Sequence, residues 1–228
     1  MAHKYPSWSP YNYALCNPLK FIDPNGEEVE LITHYKKDAN GNDTKDIARY
    51  ELKVTGKVIN QSGKDIDMEK ATGKIVSEIE KSFQGQTKDG IPVSTTANLT
   101  IAGSMADVSE SDHLFSISKM EGVYGAVNAI GGRRAFLNVN NFTGPIDGGK
   151  GRFGGRVAAH EMGHLFGLGE DRGGKGLMKP QPIIFSNTSV SSGQLSKIVR
   201  NASSGNGLFI NRGTSRSGTG IATPYIRY

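Results

Sequence analysis

Apolar residues recur at two periods along this chain, and the change of period separates strands from helices. Residues 29–34 and 50–60 read as two strands, joined by a polar turn region at Asn40, Gly41 and Asn42. Between Asp67 and Phe83 the apolar positions are Met68, Ala71, Ile75, Ile79 and Phe83. That near-fourfold spacing is one face of a helix, and Gly85 stops it. Residues 98–102, 113–118, 123–127 and 134–139 are short strand candidates, the last with Ala135, Leu137 and Val139 alternating. Residues 153–167 read as a helix with a glycine exit. A last helix is predicted over 192–202. Ser191 and Gln194 are spaced as its capping box, and Leu195, Ile198, Val199 and Ala202 supply its apolar face. The pattern is mixed α/β, of the α+β class, without internal repeats.

Composition narrows this little. A chain of 228 residues, 36% hydrophobic and 21% charged, forms one domain or one domain with an appendage. No apolar run approaches the roughly 20 residues of a membrane-spanning helix. The N-terminus lacks the charged cap and apolar stretch of a secretory signal peptide. A single Cys excludes a disulfide framework and a cysteine-only zinc site. The net charge of +5 comes from scattered Lys and Arg, not from a cluster interleaved with aromatics. A solvated basic surface is expected, with no nucleic-acid partner. Residues 203–228 carry Arg212, Arg216 and Arg227, no acid, and much Gly, Ser and Thr, and read as a loosely structured tail.

Residues 1–26 differ from the rest. They hold Pro6, Pro10, Pro18 and Pro24 and the only Trp, and read as an extended, turn-rich leader closed by Asp23-Pro24-Asn25-Gly26. From Ser9 to Gly26 the segment resembles the end of the RHS-repeat-associated core of large bacterial RHS proteins, whose signature is a closing Asp-Pro-x-Gly. The resemblance covers about a tenth of the chain. It implies that residues 27–228 are a C-terminal effector or toxin domain, secreted or delivered from a bacterial cell as part of a larger protein. A small immunity protein is then a possible partner. A monomer is expected.

The chemistry concentrates at His160-Glu161-Met162-Gly163-His164, an HExxH pattern on a predicted helix. Two His at i and i+4 share a helical face and can share a metal ion. Glu161 lies further round the helix, where it can reach a water without being a ligand. Zinc, one ion, fits this donor set best; the competing reading is a coincidental pattern. A left-handed turn at Gly167 would return the chain toward the metal and place Glu170 as third ligand, with Asp171 as the alternative.

Here the chain resembles the metzincin clan of zinc peptidases, whose pattern is HExxHxxGxx followed by His or Asp, then a Met-turn. Leu177-Met178-Lys179-Pro180 looks like that turn. The resemblance is tight over 157–180 and loose over 50–202. It implies a zincin-like fold: a twisted, mostly parallel sheet with an antiparallel edge strand, a long backing helix, an active-site helix and a C-terminal helix. It places Met178 beneath the metal. It also implies a zinc metalloendopeptidase that acts on protein or peptide substrates, with Glu161 as general base for a zinc-activated water. Glu170 departs from the clan's usual His. Substrate would bind as a strand along a sheet edge, for which Gly122, Val123, Tyr124 and Gly125 are the candidates; a short structural strand is the other reading. Cys16 is a possible latency ligand to the zinc, or simply a small buried hydrophobe. His113, satisfied or exposed, has no assigned role, and His3 and His34 lack metal-like spacing. Asp107, Glu110 and Asp112 read as a solvated acidic loop. Two other functions compete: a binding-only RHS tip with a vestigial metal site, and a nuclease toxin, which HExxH supports poorly.

Overall fold

The computed structural model describes residues 29–109, 112–143, 153–174, 176–180 and 189–203. The leader over 1–26 with Cys16, residue Glu110 and residues 204–228 lie outside them. Among the described residues one seven-stranded sheet is backed by three helices. The strands are β1 (Glu30–Lys37), β2 (Asp43–Asn60), β3 (Gly85–Gln86), β4 (Pro92–Ala102), β5 (His113–Ser118), β6 (Gly125–Val127) and β7 (Arg134–Asn138). The helices are α1 (Met68–Ser82), α2 (Gly154–Leu165) and α3 (Ser192–Ser203).

The sheet runs β3-β4-β2-β5-β7-β6. Its centre, β4-β2-β5-β7, is parallel. β3 and β6 close the two ends as antiparallel strands. β1 pairs antiparallel with β2. β2 is long enough for two neighbours on one side, β1 against residues 43–53 and β5 against 56–60, while β4 runs along its other side.

Each element follows from its local chemistry. Asp67 caps α1 by accepting from the Lys70 N–H at 2.9 Å. Ala71, Ile75, Ile79 and Phe83 form the buried stripe that the fourfold spacing predicts. Gly85 takes φ +147° where the chain leaves the helix for β3. The box that opens α3 is present: Ser191 N–H donates to Gln194 Oε1 at 2.8 Å, and Gln194 N–H to Ser191 Oγ at 3.2 Å.

One large core joins sheet and helices. Leu52, Val54 and Val58 of β2, Phe115 and Ile117 of β5, and Ala135 and Leu137 of β7 pack with the α1 stripe and with Val157, Ala158, Met162 and Leu165 of α2. The alternation of β5 sends Leu114 to the opposite face, into a small cluster with Ile59 and Ala102. α2 lies between α1 and the β6–β7 end of the sheet, and Phe83 meets Phe166 edge to face at 4.7 Å. The metal-type residues are therefore carried on a helix held on two sides by core.

Candidate metal centre

α2 ends in a Schellman motif built on Gly167. The Leu168 N–H donates to Gly163 O and the Gly167 N–H to His164 O, both at 2.9 Å, with Gly167 at φ +79°. This turn delivers the Leu168 carbonyl to His164, whose Nδ1 lies 2.8 Å from it. The Leu177 carbonyl takes the same part for His160, at 2.7 Å from Nδ1. A carbonyl only accepts, so each Nδ1 carries the hydrogen and each Nε2 offers a lone pair. Both rings are buried, with centroids 4.8 Å apart.

The chain then returns and sets Glu170 before the two rings. Its Oε1 lies 3.6 Å from His160 Nε2 and 3.5 Å from His164 Nε2. Donors at about 2.0–2.1 Å from a tetrahedral zinc stand roughly 3.4 Å from one another, close to the two nitrogen–oxygen separations here, and all three donor atoms lie within 4.8 Å of one another. Among the described residues this is the His, Cys, Asp and Glu group close enough to share an ion. Asp171 is outside it. A Cβ on Gly174 would stand 2.1 Å from Asp171 Oδ2, so that carboxylate is turned into its own loop. The Asp171 N–H donates to Met178 O at 2.7 Å and ties the returning segment to the turn that carries Met178. Met178 is fully buried, and its Sδ packs where a side chain at Gly163 would otherwise stand.

Electrostatics follow burial and pairing. Burial pushes the Glu161 carboxyl up, partly offset by the neighbouring His160 and His164. Burial pushes His160 down, but the facing Glu170 and Glu161 carboxylates, which favour its protonated form, outweigh it and the net shift is upward. Burial would raise Glu170, yet its two histidine partners hold it down at about 2. Glu161 is 5% exposed and stands next to β6. A Cβ on Gly125 would come 2.6 Å from Glu161 Oε1.

β6 is the outer strand at that end. The Asn138 N–H bonds to Tyr124 O, and the Asn128 N–H to Arg134 O. By the antiparallel alternation, the N–H and C=O groups of Gly125 and Val127 then point away from β7, to the free edge. Only Gly125 of the four expected edge residues belongs to the strand. Gly122, at φ +70°, Val123 and Tyr124 precede it. The Asn138 amide holds them there, donating to Met120 O and Val123 O, while Asn141 Nδ2 donates to Tyr124 O at 2.6 Å. No sequence signal distinguished these two asparagines from ordinary turn residues.

The remaining candidates are structural. His34 pairs with Glu51 at 3.0 Å. Asp107 accepts from Ser104 N–H, and Asp112 from Ser109 N–H, both at 2.8 Å, so these acids shape turns. His113 is neither satisfied nor exposed. It is 1% exposed and neither ring nitrogen has a hydrogen-bond partner. Phe115 and Ile117, on the same face of β5, draw it into the core. Burial, with Arg133 adding to it, pushes its pKa down to about 4.

Neither a family model nor a curated protein sequence matches this chain. Solved structures similar to it include archaemetzincin from Methanopyrus kandleri, at 12% identity, over 66% of this chain and 96% of that one, with a TM-score of 0.47. Archaemetzincin from Archaeoglobus fulgidus is 15% identical over 63% of this chain and 99% of its own, with a TM-score of 0.41. Metalloproteinase-II from Bacteroides fragilis is 15% identical over 78% and 58%, with a TM-score of 0.40. The function is therefore read from the geometry of the site itself.

Proposed function

We propose that this chain is a zinc-dependent endopeptidase in which His160, His164 and Glu170 hold one zinc ion and Glu161 is the general base. The observation that carries the reading is the convergence of two Nε2 atoms and one carboxylate oxygen within 4.8 Å of one another, beside a buried carboxyl that stays outside the group. When bound there, zinc makes a water acidic near neutral pH and polarises a carbonyl oxygen. The Leu168 and Leu177 carbonyls fix both imidazole tautomers and leave each Nε2 free to bind. Glu161 takes the proton of the attacking water and later gives it to the departing amine. The backbone of Gly125 and Val127 offers an extended peptide a ladder beside Glu161. Met178 packs under Gly163 and keeps the metal-bearing turn at a fixed height.

The resemblance of residues 9–26 supports a setting for this activity. Residues 27–228 act as the effector domain of a larger RHS protein, delivered from a bacterial cell and met by a small neutralising partner. Expression of residues 27–228 in a bacterial cytoplasm should arrest growth, and Glu161→Gln should relieve it. Equal growth of the two would remove the bacterial-toxin setting. The activity is tested by a proteome-wide cleavage profile. Zinc-loaded wild type should generate new termini, and Glu161→Gln should lose about a hundredfold or more of that activity while keeping its zinc. Indistinguishable profiles would overturn the peptidase reading.

A further inference from the structure

We infer that Ile130, at the tip of the β6–β7 hairpin, is a specificity-determining residue that receives an apolar side chain of the substrate on the N-terminal side of the scissile bond. The inference rests on the peptidase reading above and goes beyond it, because neither the HExxH pattern nor the ligand set specifies what the cleft selects.

The tip is a built turn. The Gly132 N–H closes it on Ala129 O at 2.9 Å, and Gly131 takes φ +75° at its third position, the mark of a type II turn. Asn128 braces the base, where its Oδ1 accepts from the Arg134 N–H at 3.2 Å. The turn is also docked. The Gly131 N–H donates to His164 O at 2.8 Å, the carbonyl of a residue in the metal group. Ile130 is thus one residue from a direct bond to the metal-bearing helix.

The turn does not ask for isoleucine at its second position. Such corners favour Pro or polar residues, and only Gly131 is required by its φ. Ile130 gains little by packing, since it is 55% exposed. The other exposed large apolar residues among those described, Ile101 and Met105, lie at the end of β4 and in the helical turn after it. Ile130 instead stands three residues beyond Val127, the last residue of β6 whose backbone faces the free edge. A peptide paired antiparallel to β6 runs opposite to it, so its residues before the scissile bond lie toward Val127 and the tip. A branched apolar side chain held on a rigid corner there costs exposure in the free protein. It regains that cost by burying a substrate side chain.

The test uses a positional-scanning peptide library and two proteins, zinc-loaded wild type and zinc-loaded Ile130→Asp. At one position before the cleaved bond, wild type should favour apolar residues over Ser or Asp by about three- to tenfold. Ile130→Asp should erase that preference and favour Lys or Arg at the same position, with an unchanged melting temperature. The same library read as affinities for zinc-loaded Glu161→Gln, with and without Ile130→Asp, separates binding from turnover. An apolar ranking that survives Ile130→Asp, or a change confined to positions after the cleaved bond, overturns the inference. So does the absence of any ranking in both arms. An Ile130-dependent affinity ranking without cleavage by wild type would overturn the peptidase reading and the placement before a scissile bond, and leave Ile130 only as a contact for an apolar side chain.

Discussion

Gly125 and Glu161 meet so closely that only a residue without a side chain fits between β6 and α2. A Cβ there would stand 2.6 Å from Glu161 Oε1 and 2.7 Å from Val157 Cγ1. Gly125→Ala should therefore push the Glu161 carboxyl off its position. Peptidase activity is expected to fall about tenfold or more, since small misplacements of a reacting group are costly. Zinc content, read by metal analysis, should stay at one per chain. Unchanged activity would mean that Glu161 is not held by this contact. The neighbouring acids Glu170 and Asp171 give a second test at this scale. Their order in sequence cannot decide between them, because the choice depends on how the chain leaves Gly167. The structure turns Glu170 to the two imidazoles and Asp171 to Gly174. Glu170→Ala should weaken zinc binding at least about tenfold in a competition titration, and Asp171→Asn should not. The reverse ranking would assign the ligand to Asp171.

At the scale of elements, periodicity reads best where packing is one-sided. α1 and α3 each bury one stripe, and both were legible. β2 extends further than its alternation suggests, because Asp43, Lys45, Asp46 and Arg49 lie in a half of the strand that pairs with β1 beyond the helix-covered core. β6 is shorter than its apolar run, because the Asn138 amide captures the carbonyls of Met120 and Val123 and holds that stretch out of the ladder. Those are long-range bonds that no local pattern announces. α2 was legible from its motif and its glycine exit, and its underside carries a further expectation. Gly163 gives up its side-chain space to Met178, whose Sδ a Cβ would approach to 2.2 Å. Gly163→Ala should cost about 1–3 kcal/mol by overpacking. Met178→Leu, nearly equal in volume, should cost less than about 1.5 kcal/mol. Chemical denaturation of the two variants measures this, and an equal or reversed order would contradict the contact.

For the whole molecule, the order of strands was the least legible feature, since the pairing of His113 with Gly56 and of Leu114 with Arg134 joins distant segments. The group of His160, His164 and Glu170 was legible because two of its members share one helix and the third follows its exit closely. The burial of His113 has a consequence for the stability of the entire fold. Folding lowers its pKa to about 4, from an ordinary value of about 6.5. As pH falls below about 6.5 the unfolded chain takes up a proton that the folded chain refuses. The stability is thus fully present above that pH and is lost on the way down to the folded pKa. Between about pH 7 and pH 5 this one group should cost roughly 2 kcal/mol. His113→Phe should flatten the fall of melting temperature over that range. An identical pH dependence in the variant would mean that His113 finds a partner in solution.

The proposed peptidase requires that His160, His164 and Glu170 hold a single zinc ion. Anomalous scattering measured on both sides of the zinc absorption edge, from crystals of the zinc-supplemented protein, tests it most directly. The expected result is one peak about 2.0–2.2 Å from both Nε2 atoms and a Glu170 oxygen. No peak between the two imidazoles, or a peak bound elsewhere on the chain, would contradict it.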